Sequence, residues 1–184
     1  MDRNETKEPT VQTLAVLAAA AQILVAAAFV SIPVLRHRFG AVAKAAAVAE
    51  LRRQGVRPEV LEENRLRFDA SGHEWWAPGS FAAASLAAAA LNLAGNSWGT
   101  TLTWVFSSIA FLANIAILQS QLGAVKSVRA AFRRKGDPEL LRVDVPAFLT
   151  AAEGAFPAWT RTLQNVRHTV VFAGSALAVL LLAL

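Results

Sequence analysis

His168 is the side chain best suited to acid–base chemistry in this sequence, because imidazole titrates near neutral pH. Beside it, Arg167 can hold a carboxylate, a phosphate or a developing oxyanion. Asn165, His168 and Phe172 share one helical face by their three- and four-residue spacing, and Arg161, Gln164 and His168 share another. A second segment carries Asn114, Gln119 and Gln121, of which Asn114 and Gln119 would orient a substrate. If both segments are helices entering the same end of a bundle, these groups line a polar pocket. Trp159 and the run His73-Glu74-Trp75-Trp76 would roof it, with Trp159 and Trp76 among the binding residues. The plainer account of Arg167 is a cation reaching back to an interface, and of His168 a helix cap.

Several chemistries are excluded. With no cysteine there is no disulfide, thiolate nucleophile or iron–sulfur ligand. His73-Glu74 starts like a zinc-protease helix, but no second His follows at the fourth position. His37, His73 and His168 lie on separate segments, so no metal site is expected. The chain also has no phosphate-binding glycine loop and no nucleophile elbow.

The elements that must position these groups are set by hydrophobic runs. The 184 residues are 55% apolar, and charges are confined between the runs. About 20 apolar residues cross a bilayer as a helix, and four segments approach or meet that length: residues 11–35, 79–94, 101–122 and 166–184. The second is short, Ala-rich and interrupted by Asn92, so a buried or re-entrant helix is its alternative. The expected fold is all-α, an integral membrane four-helix bundle forming one domain over residues 1–184. Helical cytoplasmic loops cover 36–78 and 123–165. Within them, residues 41–54, 59–69 and the stretch from span three to Lys135 read as helices, the last stopped by Gly136-Asp137-Pro138.

Charge sets the orientation. Both long loops are rich in Arg and Lys, whereas residues 95–100 carry no charge. The positive-inside rule puts both loops in the cytoplasm and both termini outside, and an even number of spans requires the termini to share a side. Trp75, Trp76, Trp98, Trp104 and Trp159 all fall near span ends, as interfacial rings should. The net charge of +5 therefore reflects topology rather than nucleic-acid binding. The excess of Arg over Lys and the abundance of Ala suggest a GC-rich bacterial source, hence the inner membrane. Within the spans, Gln22, Asn92, Ser107, Ser108 and Asn114 are neutral groups suited to interhelical hydrogen bonds. No Asp, Glu or Lys lies mid-span, which counts against an ion-coupled transporter. Ala-rich span two and the pair Gly174, Ala178 offer tight packing faces.

Three fragments resemble a bacterial family of small four-helix membrane proteins related to anthrone oxygenases. These are Ile32-Pro33-Val34-Leu35-Arg36 at the end of span one, Asn114 late in span three, and Trp159-Thr160-Arg161 with Asn165-Val166-Arg167-His168 at the entry to span four. The long first loop departs from the family, and the Trp-to-Asn spacing is stretched. The resemblance implies a bundle acting on a lipophilic, often aromatic or polyketide-like molecule, with oxygen and without a bound cofactor.

Two functions remain open on these residues. One is a membrane enzyme that modifies a lipophilic small molecule entering from the bilayer into a cytoplasm-facing pocket. The other is a non-catalytic accessory or assembly subunit, whose partner would be another membrane protein and whose small-residue faces would also suit a homo-oligomer.

Overall fold

In the computed structural model, residues 7–68 and 72–183 are described, and every regular element among them is helical. Residues 1–6, 69–71 and 184 lie outside them, including Asp69 at the end of the second expected loop helix.

Helix α1 (Lys7–Arg53) runs for 47 residues, about 70 Å at 1.5 Å per residue. Reading by charge ends the first span at Leu35 and starts a new helix at Ala41; the structure fuses the two. Nothing between them stops a helix except Gly40, which costs only about 1 kcal/mol relative to Ala. Pro33 is accommodated inside α1, where its missing N–H removes a single ladder bond to the Phe29 carbonyl. Buried positions recur every three or four residues through Ala18, Gln22, Val25 and Phe29 and on through Ala43, Ala47 and Leu51. One stripe of one helix thus serves two cores.

The first core is built by α1, α3 (Trp76–Leu93), α4 (Ser97–Leu122) and α8 (Thr160–Leu181). Helices α3 and α8 each pack against α1 and against α4, which closes a four-membered ring. Val25, Ala28, Phe29, Ala110 and Val171 form its apolar centre. Phe29 stacks on Phe81 at 5.0 Å and Phe111 meets Phe172 edge-on at 5.0 Å. Gly174 faces α1 so closely that an added Cβ would lie 2.9 Å from Val25 Cγ2. Two of these helices, α1 over Gln12–Arg53 and α4, are long and apolar enough to cross a membrane. Helix α3 has only 18 residues, and the first half of α8 is polar. The apolar run from Val166 is the later part of a helix that Pro157 was expected to start; α8 begins at Thr160, just after the Pro157 turn.

The second core is the basic lobe. It gathers α2 (Val60–Glu63), α5 (Ala124–Lys135), α6 (Pro138–Leu141) and α7 (Val145–Gly154) around the last turns of α1. Leu51, Val60, Leu61, Phe132, Leu140, Val145 and Phe148 fill it. Helix α2 is far shorter than the 59–69 expectation, since Arg65 takes a positive φ of 54° and turns the chain. Gly123 separates α4 from α5, where one continuous helix was expected. Gly136, at φ 68°, ends α5. Asp137 and Asp144 then cap α6 and α7, each with a proline in the first turn.

Candidate functional site

The inward stripe of α4 reads Gly99, Thr103, Ala110 and Asn114, all buried, with Gln121 two turns beyond Asn114 on the same face. The inward stripe of α8 reads Thr160, Arg167, His168, Val171, Ser175 and Ala178. Where the two stripes meet, Asn114 is fully buried, and Arg167 and His168 are 7% and 9% exposed. Asn114 lies eight residues before the end of α4, so the cluster sits about 12 Å inside the bundle from its basic end.

Asn114 organises the cluster. Its Oδ1 accepts from Arg167 Nη2 at 3.0 Å and lies 2.9 Å from His168 Nδ1. Its Nδ2 donates to the His168 carbonyl at 3.5 Å. Since Oδ1 can only accept, Nδ1 of His168 must carry a proton, which leaves Nε2 as the variable nitrogen. That atom lies 2.9 Å from Oε1 of the exposed Gln121. A ring protonated on both nitrogens donates to this oxygen. A neutral ring is served equally well if the Gln121 amide turns over and donates its N–H. The pair therefore tolerates gain and loss of a proton without leaving a group unpaired.

Arg167 is the strained partner. Its Nε has no hydrogen-bond partner, and among the described residues no carboxylate lies within ion-pair distance of it. A buried guanidinium without a counter-ion is costly, so the site favours an incoming anion or a group that becomes one.

The structure brings together Asn114, Arg167 and His168 of the expected site and leaves the rest apart. Gln119 is exposed, because it is five residues from Asn114 and so points away from the stripe that holds Gln121. Asn165 and Arg161 face outward on α8. Trp159 and Trp76 are 54% and 74% exposed and do not roof the cluster. Instead, Trp159 packs edge-on against Phe39 at 6.4 Å, and Trp75 against His37 at 6.3 Å. The heptad step from Asn114 to Gln121 was the signal that selects Gln121 over Gln119.

A second polar cluster lies toward the other end. Asn92 Nδ2 donates to Thr103 Oγ1 at 2.9 Å and approaches Gln22 Oε1 at 3.3 Å, and Gln22 donates to the same hydroxyl. Thr103 in turn donates to the Gly99 carbonyl at 2.7 Å. Three helices are tied here by groups that satisfy one another, with no cation and no titratable side chain. It is a structural staple. Ser107 and Ser108, also candidates for such bonds, are half-buried and exposed respectively.

No protein-family model, no curated protein and no solved structure matches this chain.

Proposed function

We propose that the chain is an integral membrane enzyme of four spans in a bacterial inner membrane, with its basic lobe in the cytoplasm and both termini outside. The membrane placement is supported by an apolar exterior on every long helix: Leu24 on α1, Leu86 on α3, Leu112 on α4 and Leu180 on α8 are all about half exposed or more. Side chains of this size, spread round all sides of a bundle, need lipid rather than water beside them.

The catalytic proposal rests on one observation, the hydrogen-bonded row Arg167–Asn114–His168–Gln121 with an unpaired guanidinium at its buried end. His168 Nε2 takes a proton from an acidic C–H or O–H of a lipophilic aromatic molecule once Gln121 swings aside. Arg167 holds the oxyanion so formed. The likeness to anthrone-oxygenase relatives supplies the reaction class: the carbanion passes electrons to dioxygen, and a ring methylene plus O₂ becomes a carbonyl plus water. That balance needs no reductant and no bound cofactor.

The test starts from whatever small molecule is extracted with the protein from its native membrane, identified by mass spectrometry. Oxygen uptake with that compound should fall at least about 100-fold in His168→Ala, the usual scale for a lost general base, and comparably in Arg167→Ala. Both variants should still insert. Full turnover in both would end the proposal. A stoichiometric protein partner with no small molecule would support the accessory-subunit reading instead.

A further inference from the structure

Four cations of the basic lobe are paired with carboxylates inside it. Arg36 lies 2.8 Å from Glu74, Lys44 3.1 Å from Glu62, and Arg53 2.6 Å from Glu50. Arg57 reaches both Glu139 at 2.7 Å and Glu63 at 3.3 Å. Lys135 donates to the Glu63 carbonyl at 3.3 Å.

The cations along one stripe of α5 are not paired in this way, and they lie together. Lys126, Arg129 and Arg133 follow one another at three- and four-residue spacing, all exposed. No carboxylate among the described residues pairs with any of them. Together with Ala130 they line a shallow, open depression of about 420 Å³. The opposite face of α5, with Val125, Val128 and Phe132, is packed into the lobe core. The three cations are therefore mounted on a fixed support. A depression elsewhere on the lobe is different in kind, because Glu62 sits among its Lys44, Arg65 and Arg67.

We infer that the Lys126–Arg129–Arg133 stripe binds the phosphodiester headgroups of anionic lipids in the bilayer around the bundle, an inference that rests on the membrane reading above. Position argues for lipid over a soluble partner. Helix α5 begins directly after Gly123, and Leu122, the last apolar side chain of α4, is 81% exposed. Lys126 and Arg129 lie four and seven residues beyond Leu122, about 6 and 10 Å along the helix. The headgroup layer is about 5–8 Å deep on each side. Helical side chains tilt toward the N-terminus of their helix, which for α5 is the bilayer side, so each cation leans back into that layer. Arg133, about 16 Å along, extends its long stem back toward the outer surface of that layer.

The experiment compares lipid discs of phosphatidylcholine alone with discs containing phosphatidylglycerol, and counts by native mass spectrometry the lipids retained on ejected protein. Phosphatidylglycerol should be enriched several-fold over its share of the disc. Since a cation at an anionic surface contributes roughly fivefold in affinity, K126Q/R129Q/R133Q should remove that enrichment. R52Q/R65Q/R142Q, which takes the same charge from other parts of the lobe, should keep it. Unchanged enrichment in the first variant, or equal loss in both, would overturn the inference. So would saturable binding of inorganic phosphate in phosphatidylcholine discs that vanishes in the first variant, since that would mark a site for soluble phosphate. Failure to enter either disc would strike the membrane reading itself, whereas insertion without lipid preference strikes this inference alone.

Discussion

The largest fully buried side chains of the basic lobe are Phe148, Leu51, Leu61, Val60 and Val145, whereas those of the bundle are Val171, Asn114, Thr103 and Ser175. The lobe follows the rule for a domain in water, hiding bulky apolar groups and covering itself with ion pairs. The bundle reverses it. Around a small apolar centre its interior is Ala, Ser, Thr, Asn and Gln, and many of its large apolar groups point outward. In the membrane proposed above, the hydrophobic effect would give such helices little reason to associate, and close contact and interhelical hydrogen bonds would hold them. A single chain carries both regimes, and α1 passes from one to the other near Pro33.

The largest expected effect separates the two regions. Phe148 is 1% exposed and meets Phe68 edge-on at 5.8 Å. Phe148→Ala should destabilise the lobe by about 3–5 kcal/mol through lost transfer energy and the cavity left behind. Hydrogen exchange should show α5 to α7 losing protection while α3, α4 and the outer half of α8 keep theirs. Equal loss in all of them would mean that the lobe and the bundle fold as one cooperative unit.

In the bundle the most damaging small change is at Gly99. A Cβ there would fall 2.5 Å from Asn92 Oδ1, 2.6 Å from Asn92 N and 2.9 Å from the Leu91 carbonyl carbon. Two of these are backbone atoms that cannot rotate away, so Gly99→Ala should cost roughly 1–3 kcal/mol, read as a lowered Tm in detergent. Gly174→Ala clashes with the tip of Val25 alone, its other neighbour being the Ala21 carbonyl oxygen at an ordinary 3.5 Å, and its effect should be smaller. A reversed order would mean that α1 and α8 are held more rigidly than the α3–α4 turn.

Removing the staple sharpens the comparison further. Asn92→Leu leaves the Gln22–Thr103 bond in place, so the loss should be only about 0.6–2 kcal/mol, the range for polar pairs between membrane helices. A loss above about 3 kcal/mol, in the same detergent assay, would show the bundle behaving like a water-soluble core.

The four long segments were legible because their apolar runs are long and the charges stop at their ends. The continuity of α1 was not, since charge marks where a helix meets a different solvent and says nothing about whether its backbone breaks. The site was legible in its chemistry and only partly in its geometry. Asn114, Arg167 and His168 were identifiable by type. Grouping His168 with Arg161, Gln164, Asn165 and Phe172 left out Arg167, which faces inward only because the α8 stripe runs through Thr160, Val171 and Ala178. Thr103 passed unnoticed because a Thr one turn into an apolar helix looks like a neutral filler. Its role depends on Gln22 and Asn92, 81 and 11 residues away. The lobe was read as loop helices alone, since its core takes one to three side chains from each of several short elements.

The smallest effect follows from where the carboxylates are. Helices α3, α4 and α8 contain no Asp or Glu, while the lobe depends on several. Side-chain hydrogen bonds from Arg53 and then Gln54 hold the Glu50 carboxyl down to about 2, from an ordinary 4.5. Gln54 also bonds the backbone of Asp144 at the start of α7. The Arg57 backbone N–H, followed by its guanidinium, lowers Glu139 on α6. Both groups bind protons more weakly in the folded state than in the unfolded one, so the stability they contribute is full above the unfolded value near 4.5. It is lost as pH falls, for Glu50 between about 4.5 and 2. Exposure and screening keep the amount modest. Hydrogen exchange of the lobe should therefore quicken below pH 4.5, after correction for the intrinsic rate, while the bundle stays unchanged. Glu139→Gln should flatten part of that response. A bundle that loosened over the same range would show either that the change is transmitted from the lobe through α1 or that His168 changes charge there, and His168→Gln separates the two by abolishing only the second.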